Sequence, residues 1–551
     1  MTGAEALLKA LRGMGVERIF ASPGSDWAPL WEALAKPWAP GEIPEYVSVR
    51  HEETAVSMAS GWSKATGKLP AVMLHTTVGA LHAAMTLRIA LHERVPMVVL
   101  AGEVIGFGEP PAPKVGRQWL RLLTDTGGPA RLVESCVKWS FGLNTAALLP
   151  QTMQRACQLA VSAPRGPVFV SVPTEFLLQD MAGPAPAPAA LPRPAAGDPA
   201  SLDELAHQLV AARRPLIITE EAGRDPAAVR ALVALAERLG APVAEAWQPY
   251  YINFPRQHPL YAGVVTDDIE ALVGDADAVL LADAVLPWHP PSSLPRPGTK
   301  VFAIGEDPLR SHLPYWGFKT DLVVPGEIRS TLEGLLGRLP PGAPCERVFQ
   351  KSNVLKAEAA SPISTEWVAQ ELNAVLPEGA IVVNETITHR LELLRRLTKL
   401  EPGGFYEASF GGLGTGLATA LGVKHAHPRR AVVCTIGDGA FHYNPVVASF
   451  GAAQELQLPV LVILFNNSGY LSQRTDVVMN YPQGAAVRSG KFAGTSITPP
   501  PDYVKLAQAY GGWGEKVEQP GELRAAIKRG LEQAAQGRLA LLDVVLKPIT
   551  S

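Results

Sequence analysis

The sequence is short of cysteine, of charge bias and of long apolar runs, and each shortage removes a class of function. Its four cysteines, Cys136, Cys157, Cys345 and Cys434, lie far apart and form no CxxC pair. A disulfide framework and a thiolate zinc site are therefore both disfavoured, and a reducing cytoplasm is the simplest setting. With 49 Lys+Arg against 52 Asp+Glu the net charge is only −3, too weak a field to recruit nucleic acid or an anionic membrane. The run PVLVILF at 459–465 is far shorter than the ~20 residues that span a bilayer. The first 15 residues read as an amphipathic helix with no export signal. What remains is an ordinary composition, 47% hydrophobic with 50 Gly and 50 Pro, in 551 residues. That is a turn-rich α/β chain long enough for three or four compact units.

Two composition breaks divide it. Residues 183–199 (GPAPAPAALPRPAAGDP) hold too much Pro for a strand or long helix to pass, and a weaker break spans 339–361, opening on LPPGAP. The expected organisation is an N-terminal domain at 1–182, a linker at 183–199, a middle domain at 200–338, a linker at 339–361 and a C-terminal domain at 362–551. Each domain alternates helical segments with short β-branched runs of the kind buried on both faces of a sheet. Examples are 18–21, 71–74, 97–101 and 168–172 in the first domain and 215–219, 278–282 and 300–304 in the middle one. The last domain has 380–383, 431–436, 460–465 and 540–546. Three doubly wound α/β domains with mainly parallel sheets are predicted.

The most informative stretch is AVVCTI followed by Gly437-Asp438-Gly439, a helical segment, PVLVILF, and then Asn466-Asn467. Between Gly439 and Asn466 lie 26 residues, about what a helix and a returning parallel strand need. A right-handed crossover brings both motifs to one sheet edge, with Asp438 beside Asn467 where open α/β sheets bind ligands. Alone, either motif is a common turn or loop cap. Paired at this spacing, a carboxylate and an amide oxygen make a hard site suited to Mg²⁺ or Ca²⁺, and the flanking glycines let backbone N–H groups approach a phosphate. The implied ligand is a metal-bound diphosphate.

These residues resemble the thiamine diphosphate-dependent decarboxylase and acetolactate synthase family, whose cofactor motif is GDG, some two dozen residues, then NN. The resemblance covers nearly the whole chain. It implies thiamine diphosphate and Mg²⁺ as cofactors, with Asp438 and Asn467 as metal ligands by side chain and Gly469 by its carbonyl. Gly437, Gly439 and Ala440 would line the diphosphate, and Thr388, in the loop after 380–383, would offer it a hydroxyl. Gly411 and Leu413 in FGGLGTG would contact the pyrimidine, Leu413 as the wedge that holds the bent cofactor; Tyr470 would shape the pocket. Glu52, in RHEETA, matches the family glutamate whose carboxylate bonds the aminopyrimidine and promotes deprotonation of the thiazolium carbon. Glu53 is expected to be a solvated charge.

Three further positions resemble the benzoylformate decarboxylase branch: Ser25 after Pro23-Gly24, His75 opening HTTVGALH, and His289 in LPWHPP. The resemblance implies that the histidines move protons and the serine holds the substrate carboxylate. Leu81, where that branch has glycine, and a crossover two residues longer imply a remodelled pocket. The expected activity is non-oxidative decarboxylation of a 2-oxo acid, with carboligation as a second outcome. The alternatives are an acetolactate synthase-like carboligase, with or without a flavin in the middle domain, and a non-catalytic thiamine diphosphate-binding protein. The family also implies a homodimer or homotetramer, each site being shared between the first domain of one subunit and the third of its neighbour.

Overall fold

The computed structural model describes the chain except for residues 107, 111–112, 114, 116–124, 182–186, 265–268, 312, 314–317, 342–355, 410 and 548–551. Parts of both expected linkers, together with Cys345 and Phe410, thus lie outside the described residues. Three six-stranded sheets follow one another along the chain, and every strand pair in them is parallel.

The first sheet contains β1 (Arg18–Ser22), β2 (Glu45–Ser48), β3 (Ala71–Leu74), β4 (Met97–Glu103), β5 (Trp139–Gly142) and β6 (Pro167–Pro173), in the order β2-β1-β3-β4-β6-β5. The second has β7 (Pro215–Thr219), β8 (Val243–Glu245), β9 (Tyr261–Val264), β10 (Ala278–Ala282), β11 (Lys300–Gly305) and β12 (Leu322–Pro325), in the order β12-β11-β10-β7-β8-β9. The third has β13 (Ile381–Glu385), β14 (Phe405–Glu407), β15 (Val432–Gly437), β16 (Leu461–Asn466), β17 (Trp513–Val517) and β18 (Ala540–Val545), in the order β14-β13-β15-β16-β18-β17. Interior strands such as β3, β10 and β16 are buried along their whole length. Each Val, Leu or Ile so placed stabilises the fold by about 1.5–3 kcal/mol relative to exposure, which is why continuous apolar runs marked these strands.

The first and third sheets share one core. Helix Glu52–Thr66 packs along helix Gly416–Ala426 so closely that a Cβ on Gly61 would overlap the Thr419 carbonyl and one on Gly422 the Met58 carbonyl. An apolar cluster continues from Phe20 and Trp62 through Leu417 and Leu421 to Val432. Buried ion pairs tie the middle domain on: Arg94 of the first domain reaches Glu221 at 2.7 Å and Asp283 at 2.8 Å, and Arg165 reaches Glu306 at 2.5 Å. Among the described residues no helix is long and apolar enough to cross a membrane.

Candidate functional site

At the carboxyl edge of the third sheet, β15 ends in Gly437 and Asp438 opens the short helix Asp438–Tyr443. Asp438 is buried. Its Oδ1 accepts the Gly439 N–H at 2.8 Å and its Oδ2 the Gly469 N–H at 3.0 Å. Burial still dominates and pushes its carboxyl up to about 6. The adjacent strand β16 ends in Asn466, whose amide nitrogen donates to Asp543 on β18 at 2.8 Å and fixes the turn. Ser468 then takes φ +58°, a left-handed conformation that swings Gly469 back. As a result Asn467 Oδ1 accepts the same Gly469 N–H, at 3.2 Å, so carboxylate and amide oxygens converge on one point. Two oxygen donors there, with a Cβ at Gly437 facing open space, fit a hard divalent ion and a diphosphate. Ala440 is buried behind Asp438, and the Tyr470 ring lies over Gly439 where a Cβ would stand.

Two supports of this edge escaped the sequence reading. His389 is buried and neutral, its imidazole held down to about 4 by burial; it bonds Thr365 Oγ1 through Nδ1 at 2.7 Å. Its Nε2 accepts the Asn467 amide N–H at 3.3 Å, which turns the Asn467 oxygen toward Asp438. Glu385, at the end of β13, gathers the N–H groups of Gly414 at 2.8 Å, Thr415 at 3.0 Å and Gly416 at 3.0 Å, and so anchors the turn behind Leu413. Leu413 is half-buried against the shared core, Gly411 has φ +60°, and Thr388 is exposed in the turn Ile387–His389. Beyond Tyr470 the chain makes an excursion through helices Leu471–Asn480 and Ala485–Ser489, neither of which buries a residue. Two backbone bonds close its base, Tyr470 N–H to Thr495 at 2.8 Å and Ile497 N–H to Ser468 at 2.9 Å.

The other expected residues collect at the carboxyl edge of the first sheet. Glu52 is the first residue of its helix, and His51 caps that helix by accepting the Glu53 N–H at 3.2 Å. Glu52 Oε2 accepts from His82 Nδ1 at 3.2 Å, and the His82 ring stacks on His51 at 5.3 Å. Gly79 lies against both Glu52 and His75, so the first turns of helix Thr76–His92 join these groups. His75 Nδ1 faces buried Asp26 Oδ1 at 2.6 Å, and Ser25, next to Asp26, is exposed. The His75 pKa is raised, chiefly by the hydrogen bond to Asp26, against the effect of burial. Glu53 is half-buried and its carboxyl is pushed up by burial, so it is not the free solvated charge expected. His289 is exposed in the loop after β10 and makes no hydrogen bond or ion pair among the described residues.

The two edges do not meet within one chain. Gly61 lies level with Thr419 and Met58 with Gly422, so the two helices run antiparallel. Glu52 therefore lies roughly 14 Å along its helix from Gly61, away from Leu413. Arg50 confirms the direction: it pairs with Glu455 at 3.0 Å, at the end of helix Val446–Glu455 that leads into the start of β16. Asn467 follows the opposite end of that strand, about 20 Å off. The expected residues thus form two separate groups, one at each sheet edge.

At the middle sheet's carboxyl edge stand Glu220 and Glu221 after β7, Asp283 after β10 and Glu306 after β11. Arg94, Arg165, Arg224 and Arg310 neutralise them. Burial pushes Glu220 up to about 7, whereas its three arginines hold Glu221 well below the usual carboxylate range.

Known proteins share this fold. The family model for the N-terminal TPP-binding domain of thiamine pyrophosphate enzymes matches residues 1–116, the central-domain model 202–335 and the C-terminal TPP-binding-domain model 388–544. Benzoylformate decarboxylase of Pseudomonas aeruginosa is 29% identical, the match covering 99% of this chain and 98% of the relative. The acetolactate synthase isozyme 3 large subunit of Escherichia coli is 27% identical over 99% and 95%. The solved thiamine diphosphate-dependent 4-hydroxybenzoylformate decarboxylase of Rhodococcus jostii RHA1 superposes with a TM-score of 0.86 at 25% identity, covering all of both chains. With its three parallel sheets and a match to each of the three domain models, the chain belongs to the thiamine pyrophosphate enzyme family.

Proposed function

We propose that the protein is a thiamine diphosphate- and Mg²⁺-dependent lyase that removes CO2 from a 2-oxo acid and releases an aldehyde, with transfer to a second carbonyl as a side outcome. The observation that carries this reading is the meeting of Glu52, His75 and Ser25 at one sheet edge. An acid, an imidazole with raised proton affinity and a hydroxyl stand together there. Bound thiamine diphosphate supplies the electron sink for the charge left when CO2 departs. Asp438, Asn467 and the Gly469 carbonyl would hold Mg²⁺. Gly437, Gly439, Ala440 and Thr388 would face the diphosphate, Gly411 and Leu413 would support the pyrimidine, and Tyr470 would border the pocket. Glu52 would share a proton with the pyrimidine ring nitrogen, His75 would deliver protons to the substrate oxygen and the acyl carbon, and Ser25 would hold the carboxylate. His289 is given no part.

Because Glu52 and Asp438 lie at opposite ends of one chain's helix pair, each complete site joins the first domain of one subunit to the third of another, and a dimer is the minimum. The alternative is a carboligase, with or without a flavin in the middle domain, and the product decides between the two. The test is a product screen with aliphatic and aromatic 2-oxo acids, thiamine diphosphate and Mg²⁺ being supplied. Aldehyde from at least one acid, abolished in Glu52→Gln while cofactor binding persists, is expected. Hydroxyketone from pyruvate as the sole product would overturn the decarboxylase reading, and full activity of Glu52→Gln would remove the glutamate's role.

A further inference from the structure

Asp26 is a buried acid for which the motifs gave no task. It sits four residues past the end of β1, 1% exposed, and holds His75 Nδ1 at 2.6 Å. Its second oxygen faces the Thr76 N–H at 3.4 Å, in the first turn of helix Thr76–His92. Two glycines make the slot. A Cβ on Gly24 would overlap the His75 ring, and one on Gly102, near the end of β4, would overlap the Asp26 carboxylate. The flanks are fastened as well: the Trp27 indole donates to the Leu74 carbonyl at 2.8 Å, and the Thr174 hydroxyl donates to the Asp26 carbonyl at 3.0 Å. Three strands' ends thus agree on one placement of one carboxylate and one imidazole.

With Nδ1 turned to the carboxylate, that nitrogen keeps its hydrogen, and Nε2 is the one left to exchange protons. We propose that Asp26 is a positioning residue, which fixes the tautomer and ring orientation of His75 and leaves Nε2 as the nitrogen that exchanges protons. This rests on the proton-transfer part given to His75 above. The charged groups facing the imidazole are Asp26, on the β1 turn, and Glu52, on the neighbouring helix, with His82 and His51 on the far side of Glu52. Both carboxylates favour the imidazolium, Asp26 through the shorter contact, while partial burial opposes it. The imidazolium therefore survives to higher pH than in a free histidine, and neutralising Asp26 must bring its loss to lower pH.

Diethyl pyrocarbonate acylates only neutral imidazole, so its reaction with each histidine of the apoprotein, followed peptide by peptide against pH, reads this directly. The wild-type midpoint for His75 is expected above that of the exposed His207. In Asp26→Asn it should fall by about one to two pH units, which at pH 6 to 7 means acylation about tenfold faster. A His75 midpoint at or below that of His207 in the wild type, a measurement that needs no variant, overturns the proposal, as does an unmoved midpoint in Asp26→Asn. With cofactor and a turned-over 2-oxo acid, the alkaline limb of kcat should move acidward by the same interval, with thiamine diphosphate affinity unchanged. If the midpoint moves and the limb does not, the Asp26–His75 pairing is upheld and the acid role of His75 falls instead.

Discussion

Mixing two inactive variants measures the division of the site between chains. Glu52→Gln removes the proposed acid at one sheet edge and Asp438→Ala the proposed metal ligand at the other, so each variant alone has no intact site. In a mixed dimer, the Glu52 of one chain faces the Asp438 of the other. One of the two sites is then fully wild type and its mate carries both lesions. Random pairing at equal input puts about half the dimers in the mixed class, so about a quarter of all sites are restored. The magnitude depends on geometry. Glu52 lies at the Glu455 end of the helix pair, about 20 Å from Asn467, a gap no side-chain rotation closes. Co-expression with two affinity tags, purification of the doubly tagged species and assay of CO2 release would give about half of wild-type activity for that species. Activity no greater than that of the parents would refute the two-chain site and the helix register from which it is argued.

Gly422→Ala should lower stability by about 1–3 kcal/mol, because its Cβ must displace the Met58 carbonyl across the helix contact; an unchanged thermal midpoint would contradict so close an approach. Arg94→Ala leaves Asp283 buried beside an empty space and should cost about 3–5 kcal/mol in a denaturant titration, most of it recovered when Asp283→Asn is added. His82→Ala removes the hydrogen bond held to Glu52 and should reduce turnover about fivefold with cofactor affinity intact. Turnover equal to wild type would mean that His82 does not hold the acid in the working state.

The interior of each sheet was legible and its margins were not. Runs such as 278–282 and 460–465 are buried on both faces, so hydrophobicity alone marked them, and β10 falls on the expected residues while β16 is displaced by one. Edge strands β2 (EYVS), β5 (WSFG) and β17 (WGEKV) face solvent on one side and carry polar residues, which leaves no continuous apolar signal. In the site, GDG and NN could be paired because a crossover has a characteristic length. Asp26, Glu385 and His389 could not. Each acts through a contact with a residue distant in sequence, Asp26 with His75, Glu385 with the 414–416 turn, and His389 with Asn467. One sequence offers no period or spacing for such meetings.

The excursion between Tyr470 and Thr495 has a further consequence. Its two helices bury nothing, and a pair of backbone bonds closes its base beside the turn that carries Asn467 and Gly469. Substitutions on its exposed faces leave core packing alone. Such a segment can drift in length and character, by small and separable steps, while the turn at its base keeps its shape.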